Sequence, residues 1–387
     1  MRTAEEKLRA LIAEAQDMQN RDPQRALERA DLALALIGER EDLLKEKADA
    51  LNAKGNALWT LSDYPRALDC CEQSLATFER LGDKRGVARA LNGIGNVYFR
   101  LADYASALEH YQKSLATFEQ LSDKRGVAIA LNNIGLVYER LADYASALEH
   151  CQKSLATSEQ LGDEQSIARA FLNIGNVYEC LSDYASALEH FQKSLATFEQ
   201  LGDKQGIASA LSDIGIVYCN LADYASALEH CQKSLATFEQ LGDKQGIASA
   251  LGNIGIIYEC LSDYASALEH YQKSLATLEQ LGNKKSIARV LLNIGLVYER
   301  LADYASALEH YQKSLAILEQ FGDKRSVAIA LNSIGEAHRA LGQVEETKAA
   351  LTKALELCRQ LGTRREEAEA YLSLGWLYAQ REAKKKD

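Results

Sequence analysis

The sequence of 387 residues holds no apolar run approaching the roughly 20 residues that cross a bilayer, so no membrane-spanning helix is expected. Its opening stretch, Met1 to Gln16, also lacks the long apolar core of a signal peptide, and the expected compartment is the cytoplasm. An excess of positive charge is missing too: 44 Lys and Arg stand against 55 Asp and Glu, a formal charge of −11. A general nucleic-acid binder needs the opposite balance to neutralise phosphates, so neither nucleic acid nor membrane is expected as a partner. Eight cysteines occur without a CxxC pair and without a histidine at zinc-ligand spacing nearby. That excludes a zinc or redox motif, and the scattered positions suit a reducing compartment better than a disulfide framework. No P-loop, GxSxG, HExxH or dinucleotide fingerprint occurs, and neither a catalytic centre nor a cofactor is expected. What remains is a chain 47% apolar and 26% charged, the balance of a folded protein.

The dominant feature is repetition. The segment beginning at Leu91 recurs every 40 residues, marked by Gly55, Gly95, Gly135, Gly175, Gly215, Gly255, Gly295 and Gly335, and by Tyr104 and its equivalents. A fixed period in this range is the signature of an array in which each repeat buries its apolar face against its neighbours. The two or three domains that length alone suggests therefore give way to one array. Within a repeat, Ala88, Leu91, Ile94, Gly95, Tyr98 and Leu101 form one helical stripe, helix A. Asp103 supplies an N-cap, and Ala107, Leu108, Tyr111, Ser114, Leu115 and Phe118 form a second stripe over about residues 104–121, helix B. Turn residues such as Ser122-Asp123 lead to the next helix A, and no β pattern appears. Residues 45–364 hold eight such repeats. Residues 1–44 read as a degenerate capping helix pair, its second helix starting at Asp22-Pro23. Residues 365–387 read as one more helix A, carrying Leu374, Gly375 and Tyr378, and a basic tail. That last helix has no helix B after it, and its open face offers a surface for self-association.

The succession Leu91, Ile94-Gly95, Tyr98, Ala107, Tyr111 and Ser114 resembles the tetratricopeptide repeat family. Two departures are a 40-residue repeat in place of one of about 34, and no proline near the end of helix B. Longer repeats of this kind look like those of kinesin light chains, spindle-orientation scaffolds and bacterial signalling regulators. The resemblance implies an all-α, right-handed superhelical solenoid of antiparallel helix pairs. It also implies that helix A lines a concave groove for a protein or peptide segment, as in a non-catalytic adaptor or scaffold. The alternative is the sensor or interaction region of a bacterial signalling regulator whose output domain is missing or separate. A third reading is a self-assembling spacer.

Comparing the repeats with one another locates the variation. Helix B hardly changes, even at its solvent-facing Glu109, His110, Gln112, Lys113 and Gln120, whereas helix A differs in the columns of Arg89, Asn92, Gly93, Asn96, Phe99 and Arg100. These offsets describe a second helical stripe, expected opposite the core, and uneven change between two exposed faces suggests a groove diversified for ligands. Its first third is polar, with Asn52, Asn56, Asn92, Asn96, Asn132, Asn133, Asn173 and Asn176 beside Arg89, Arg100, Arg140 and Arg169, and with Phe99 and Glu139 in the same columns. Asparagine amides suit the backbone of an extended peptide. Changing Asn92, Asn96 and Asn132 to alanine is thus expected to weaken binding and spare the fold. The centre is apolar, with Leu136, Leu172, Ile216, Ile256, Cys180, Cys219 and Cys260, and the end returns to charge with Arg289, Glu299, Arg300, Glu336 and Arg339 around Leu296, followed by Trp376.

Other patterns fit packing better than chemistry. The ladder His110, His150, His190, His230, His270 and His310 is spread over repeats separated by two helix-packing distances of roughly 8–10 Å each, too far apart to share an ion, so these read as copied surface residues. Cys71, Cys151 and Cys231 take the place of Tyr111 and read as small core residues, while Cys180, Cys219 and Cys260 on the variable stripe read as accessible thiols. Lys384-Lys385-Lys386 reads as a solvated end.

Overall fold

An aspartate closes one helix and opens the next at most turns of this chain, and this sets the architecture. The computed structural model describes residues 4–19, 22–38, 40–321, 323–361 and 367–375, and every element among them is helical. Trp376, Tyr378 and the Lys384–Lys386 tail lie outside the described residues.

Two compact bodies are present. The first, Met1–Gly202, holds the pairs α1 (Ala4–Met18) and α2 (Pro23–Ile37), α3 (Leu44–Thr60) and α4 (Tyr64–Leu81), α5 (Lys84–Arg100) and α6 (Tyr104–Gln120), α7 (Lys124–Arg140) and α8 (Tyr144–Leu161), and α9 (Glu164–Cys180) and α10 (Tyr184–Leu201). A short 3-10 turn, Glu41–Leu43, precedes α3. The second, Asp203–Asp387, holds α11 (Lys204–Asn220) and α12 (Tyr224–Leu241), α13 (Lys244–Cys260) and α14 (Tyr264–Leu281), α15 (Lys284–Arg300) and α16 (Tyr304–Phe321), and α17 (Lys324–Ala340) and α18 (Val344–Leu361). Residues 367–375 are also helical. From α3 onward the odd helices are helix A and the even ones helix B. Within each body every helix packs on the next, and helices A of successive repeats also touch directly.

The turn from A to B shows how few residues do this. At the end of α5, Ala102 takes a left-handed φ of 60°, and its N–H donates to the Phe99 carbonyl while that of Asp103 donates to Tyr98 at 3.0 Å. This is the Schellman arrangement. The same Asp103 then accepts the Ser106 N–H at 3.1 Å as the N-cap of α6. Leu101 corrects the sequence reading here. Assigned to the core stripe by periodicity, it stands one residue past the last turn of α5 and is 44% exposed. The stripe ends at the half-buried Tyr98, because the helix stops before its next turn reaches the core.

The two helices of a repeat approach closely where the periodic glycine lies. A β-carbon at Gly95 would meet the Tyr111 ring at 2.6 Å, and one at Gly215 would lie 2.5 Å from Cys231 Sγ and 3.1 Å from the Ala227 carbonyl oxygen. Nearby, buried Ser114 donates to the Ala88 carbonyl at 2.8 Å, and Ser74, Ser154, Ser194, Ser234, Ser274 and Ser314 make the same bond in their repeats. A small hydroxyl is thus retained in the core because it is satisfied there.

Candidate functional site

In the first body the variable columns of helix A turn toward one another. Asn133 Nδ2 on α7 donates to Asn92 Oδ1 on α5 at 3.0 Å and lies 3.5 Å from Asn96 Oδ1, which also accepts the Tyr111 hydroxyl at 2.7 Å. On the next pair of helices, Asn173 donates to Asn132 Oδ1 at 2.7 Å. Arg89 donates to Asp49 at 2.7 Å with its guanidinium over the Phe78 ring. Of the variable columns, Arg89, Asn92, Asn96, Asn132 and Asn133 are half-buried, and Asn52 and Asn173 are buried. The stripe expected opposite the core is therefore mostly the seam between successive helices A. What faces outward is narrower: Arg100, stacked on Trp59, together with Arg140 and Arg169, is exposed, while Leu136, Leu172, Asn176 and Glu139 are half-buried beside them. Phe99 lies edge-on to Tyr104 at 5.9 Å.

This pairing changes the meaning of the asparagine triple. Asn132 is the acceptor for the buried Asn173 amide, and removing it would strand a polar group, a cost of about 1–3 kcal/mol. Alanine at Asn92, Asn96 and Asn132 would affect the fold as well as any ligand.

The second body repeats the arrangement with less polar residues. Asn253 donates to Ser212 Oγ at 2.9 Å across α11 and α13. Ile216, Ile256 and Leu296 are half-buried, Ile256 packing against the cores on both sides of α13, while Arg289 and Arg300 are exposed. Cys219 is buried, with Sγ 3.8 Å from the exposed Cys260, so of the three stripe thiols only Cys180 and Cys260 are accessible.

Burial sets the electrostatics of this face. The Glu139 carboxyl is held above the usual carboxylate range by desolvation, with Arg140 opposing the shift. Glu259 is raised for the same reason, opposed by the Tyr271 hydroxyl that donates to it at 3.1 Å and by Arg300. Desolvation also pushes the thiols of Cys71, Cys151, Cys219 and Cys231 up to about 12, which keeps them protonated and unreactive. The histidine ladder is a packing device. Each Nδ1 lies 2.7–2.8 Å from the carbonyl four residues earlier, and each ring sits against the tyrosine of its own helix A, as His110 does on Tyr98 at 5.3 Å. Among the described residues no group of three or more His, Cys, Asp or Glu could hold a metal ion, and no helix is long and apolar enough to cross a membrane.

One relationship was present in the sequence and not read there. Wherever the Phe118 column near the end of helix B holds phenylalanine (Phe78, Phe118, Phe198, Phe238), the residue eight positions on is glycine (Gly86, Gly126, Gly206, Gly246). Where it holds Ser158, Leu278 or Leu318, that residue is serine (Ser166, Ser286, Ser326). The reason is contact: a β-carbon at Gly126 would fall 2.3 Å from the Phe118 ring.

A family model described as "Tetratricopeptide repeat" matches residues 46–120, 126–200, 206–280, 247–320, 286–346 and 326–386. Similar solved structures include a Rap protein complexed with Competence and Sporulation Factor, 17% identical, covering 93% of this chain and 99% of that one with a TM-score of 0.65. Two others are the apo quorum sensor NprR from B. thuringiensis (15% identical, 92% and 99% covered, TM-score 0.58) and aspartyl phosphate phosphatase F from Bacillus subtilis (14% identical, 92% and 94% covered, TM-score 0.56). No curated protein matches the chain in sequence. With its repeats matched along most of its length, the chain belongs to the tetratricopeptide repeat family.

Proposed function

We propose that this chain is a non-catalytic binding protein whose helix A face receives an extended peptide, either free or as a segment of a partner protein. One observation carries the reading: six repeats copy the exposed face of helix B down to its Glu109–Lys113 type ion pair, while helix A changes size and charge from repeat to repeat. Pairs of that exposed kind contribute little to stability, so their retention reflects absence of change on helix B, and the variation on helix A stands out against it. Exposed Arg100, Arg140 and Arg169 beside half-buried Leu136 and Leu172 suit a peptide that combines apolar side chains with acidic groups. A sensor role in a signalling regulator draws support from two neighbours, one described with Competence and Sporulation Factor and one as a quorum sensor. An adaptor or scaffold would use the same face. All eight cysteines are free, which supports work in the reducing cytoplasm. Self-association through residues 367–375 belongs to the same proposal, since Tyr371 and Leu372 there are 45% and 68% exposed.

The test is affinity selection of a random-sequence peptide library on the immobilised chain, followed by titration of the selected peptides. Arg140→Ala with Arg169→Ala should weaken binding several-fold at low salt and less at high salt, because exposed charges are screened. Glu109→Ala with Lys113→Ala should leave it unchanged. Equal affinity for all three proteins, or an empty selection, would count against the helix A face.

A further inference from the structure

In the seam between helices A, the column of Gly93 supplies donors. Asn133 bonds back to Asn92, Asn173 to Asn132 and Asn253 to Ser212. At the junction of α3 and α5 the donor is missing because the residue is Gly93, while its acceptor counterpart, Asn52, is present. Asn52 is 7% exposed and its Oδ1 has no hydrogen-bond partner. A β-carbon at Gly93 would lie 3.5 Å from that oxygen, 3.6 Å from Asn56 Oδ1 and 3.2 Å from Cys71 Sγ, so two amide oxygens converge on the space that an asparagine fills elsewhere. One turn earlier on the same face of α5, Arg89 spends its Nη2 on Asp49 and buries an Nε that has no acceptor.

We propose that the notch over Gly93 is a binding site for a primary carboxamide, brought by an asparagine or glutamine side chain of the bound peptide. Its NH2 group has two hydrogens for the two oxygens of Asn52 and Asn56, and its carbonyl oxygen matches the Arg89 donor. A carboxylate would set its charge against two amide oxygens, and an apolar side chain would leave Asn52 unpaired. The inference deepens the peptide-binding reading and relies on it for the identity of the carrier, though the notch can be probed without any peptide.

The probe is acetamide, titrated into the 387-residue chain with its asparagine side chains isotopically labelled for NMR, with N,N-dimethylacetamide, which has no N–H, as the control. Gly93→Asn closes the notch with the chain's own amide. Two junctions already pair an asparagine with a preceding cysteine, Cys151 with Asn173 and Cys231 with Asn253, so the variant has a precedent for folding, and circular dichroism checks it. The expected result is a saturable shift of the Asn52 and Asn56 side-chain signals by acetamide, absent with the dimethyl compound and lost in Gly93→Asn. Equal shifts with both compounds, persistence in Gly93→Asn, or no shift in the parent would overturn the proposal. Library-selected peptides should carry Asn or Gln at a shared position and bind about ten-fold more weakly when it is replaced by leucine. Selected peptides with no such preference and a silent acetamide titration would refute the notch and leave the peptide reading standing. Acetamide binding without any selected peptide would do the reverse.

Discussion

Ala102, Ala142, Ala222 and Ala302 all hold a left-handed backbone, with φ between 59° and 60°, where a β-carbon costs roughly 1–2 kcal/mol relative to glycine. The corresponding turns after helix B mostly use Gly82, Gly162, Gly202, Gly242 and Gly282. Ala142→Gly should therefore raise stability by about 1 kcal/mol, whereas Ala147→Gly, inside α8 and fully buried, should lower it; chemical denaturation of both variants checks the contrast. A second residue-scale outcome concerns Glu139, whose raised pKa means that the folded state holds its proton more tightly than the unfolded state. Its contribution is favourable below the unfolded value and is lost as pH rises through the folded one. Glu139→Gln should thus be more stable than the parent at pH 7 and gain nothing at pH 4. A gain that stays constant across that range would mean that burial is not what shifts this carboxyl. Legibility at this scale was uneven. The N-cap of Asp103 was plain because capping is local, while the exposure of Leu101 was hidden because periodicity does not mark where a helix stops.

Between elements, contacts join residues from 8 positions apart, as Phe118 and Gly126, to 41, as Asn132 and Asn173, and this governs what could be read. Helices A and B and their order followed from local periodicity. The seam of asparagines did not, because Asn132 and Asn173 stand in two neighbouring columns of what looks like a solvent stripe until successive helices A are brought together. The complement of Phe118 and Gly126 was legible in principle, since it needs only two columns compared side by side. Gly126→Ser should destabilise by about 1–3 kcal/mol through overpacking. Adding Phe118→Leu should recover much of that loss, as Leu278 with Ser286 and Leu318 with Ser326 already coexist. A double-mutant cycle measures this; strict additivity would show that the pair is not coupled. Gly215→Leu should be costlier still, because the Ala227 carbonyl oxygen near the added atom is backbone and cannot rotate away.

At the scale of the molecule, each body is a run of helix pairs held by neighbours, so far-UV circular dichroism should be almost wholly helical and unfolding should lose strict two-state character. Calorimetric and van't Hoff enthalpies that agree would argue for tighter coupling. The family was legible in a handful of periodic residues; the candidate face was legible in which columns vary, and only the packing of successive helices A separates its exposed arginines from its buried seam. The central claim is that helix A, and not helix B, meets the ligand. Photo-crosslinking tests it most directly, with benzoylphenylalanine placed either at Arg169 on α9 or at Gln152 on α8, both exposed, and each protein mixed with the library-selected peptides. Peptide adducts are expected from position 169 and not from 152. Adducts from 152 alone, or equal yields from both, would contradict the account.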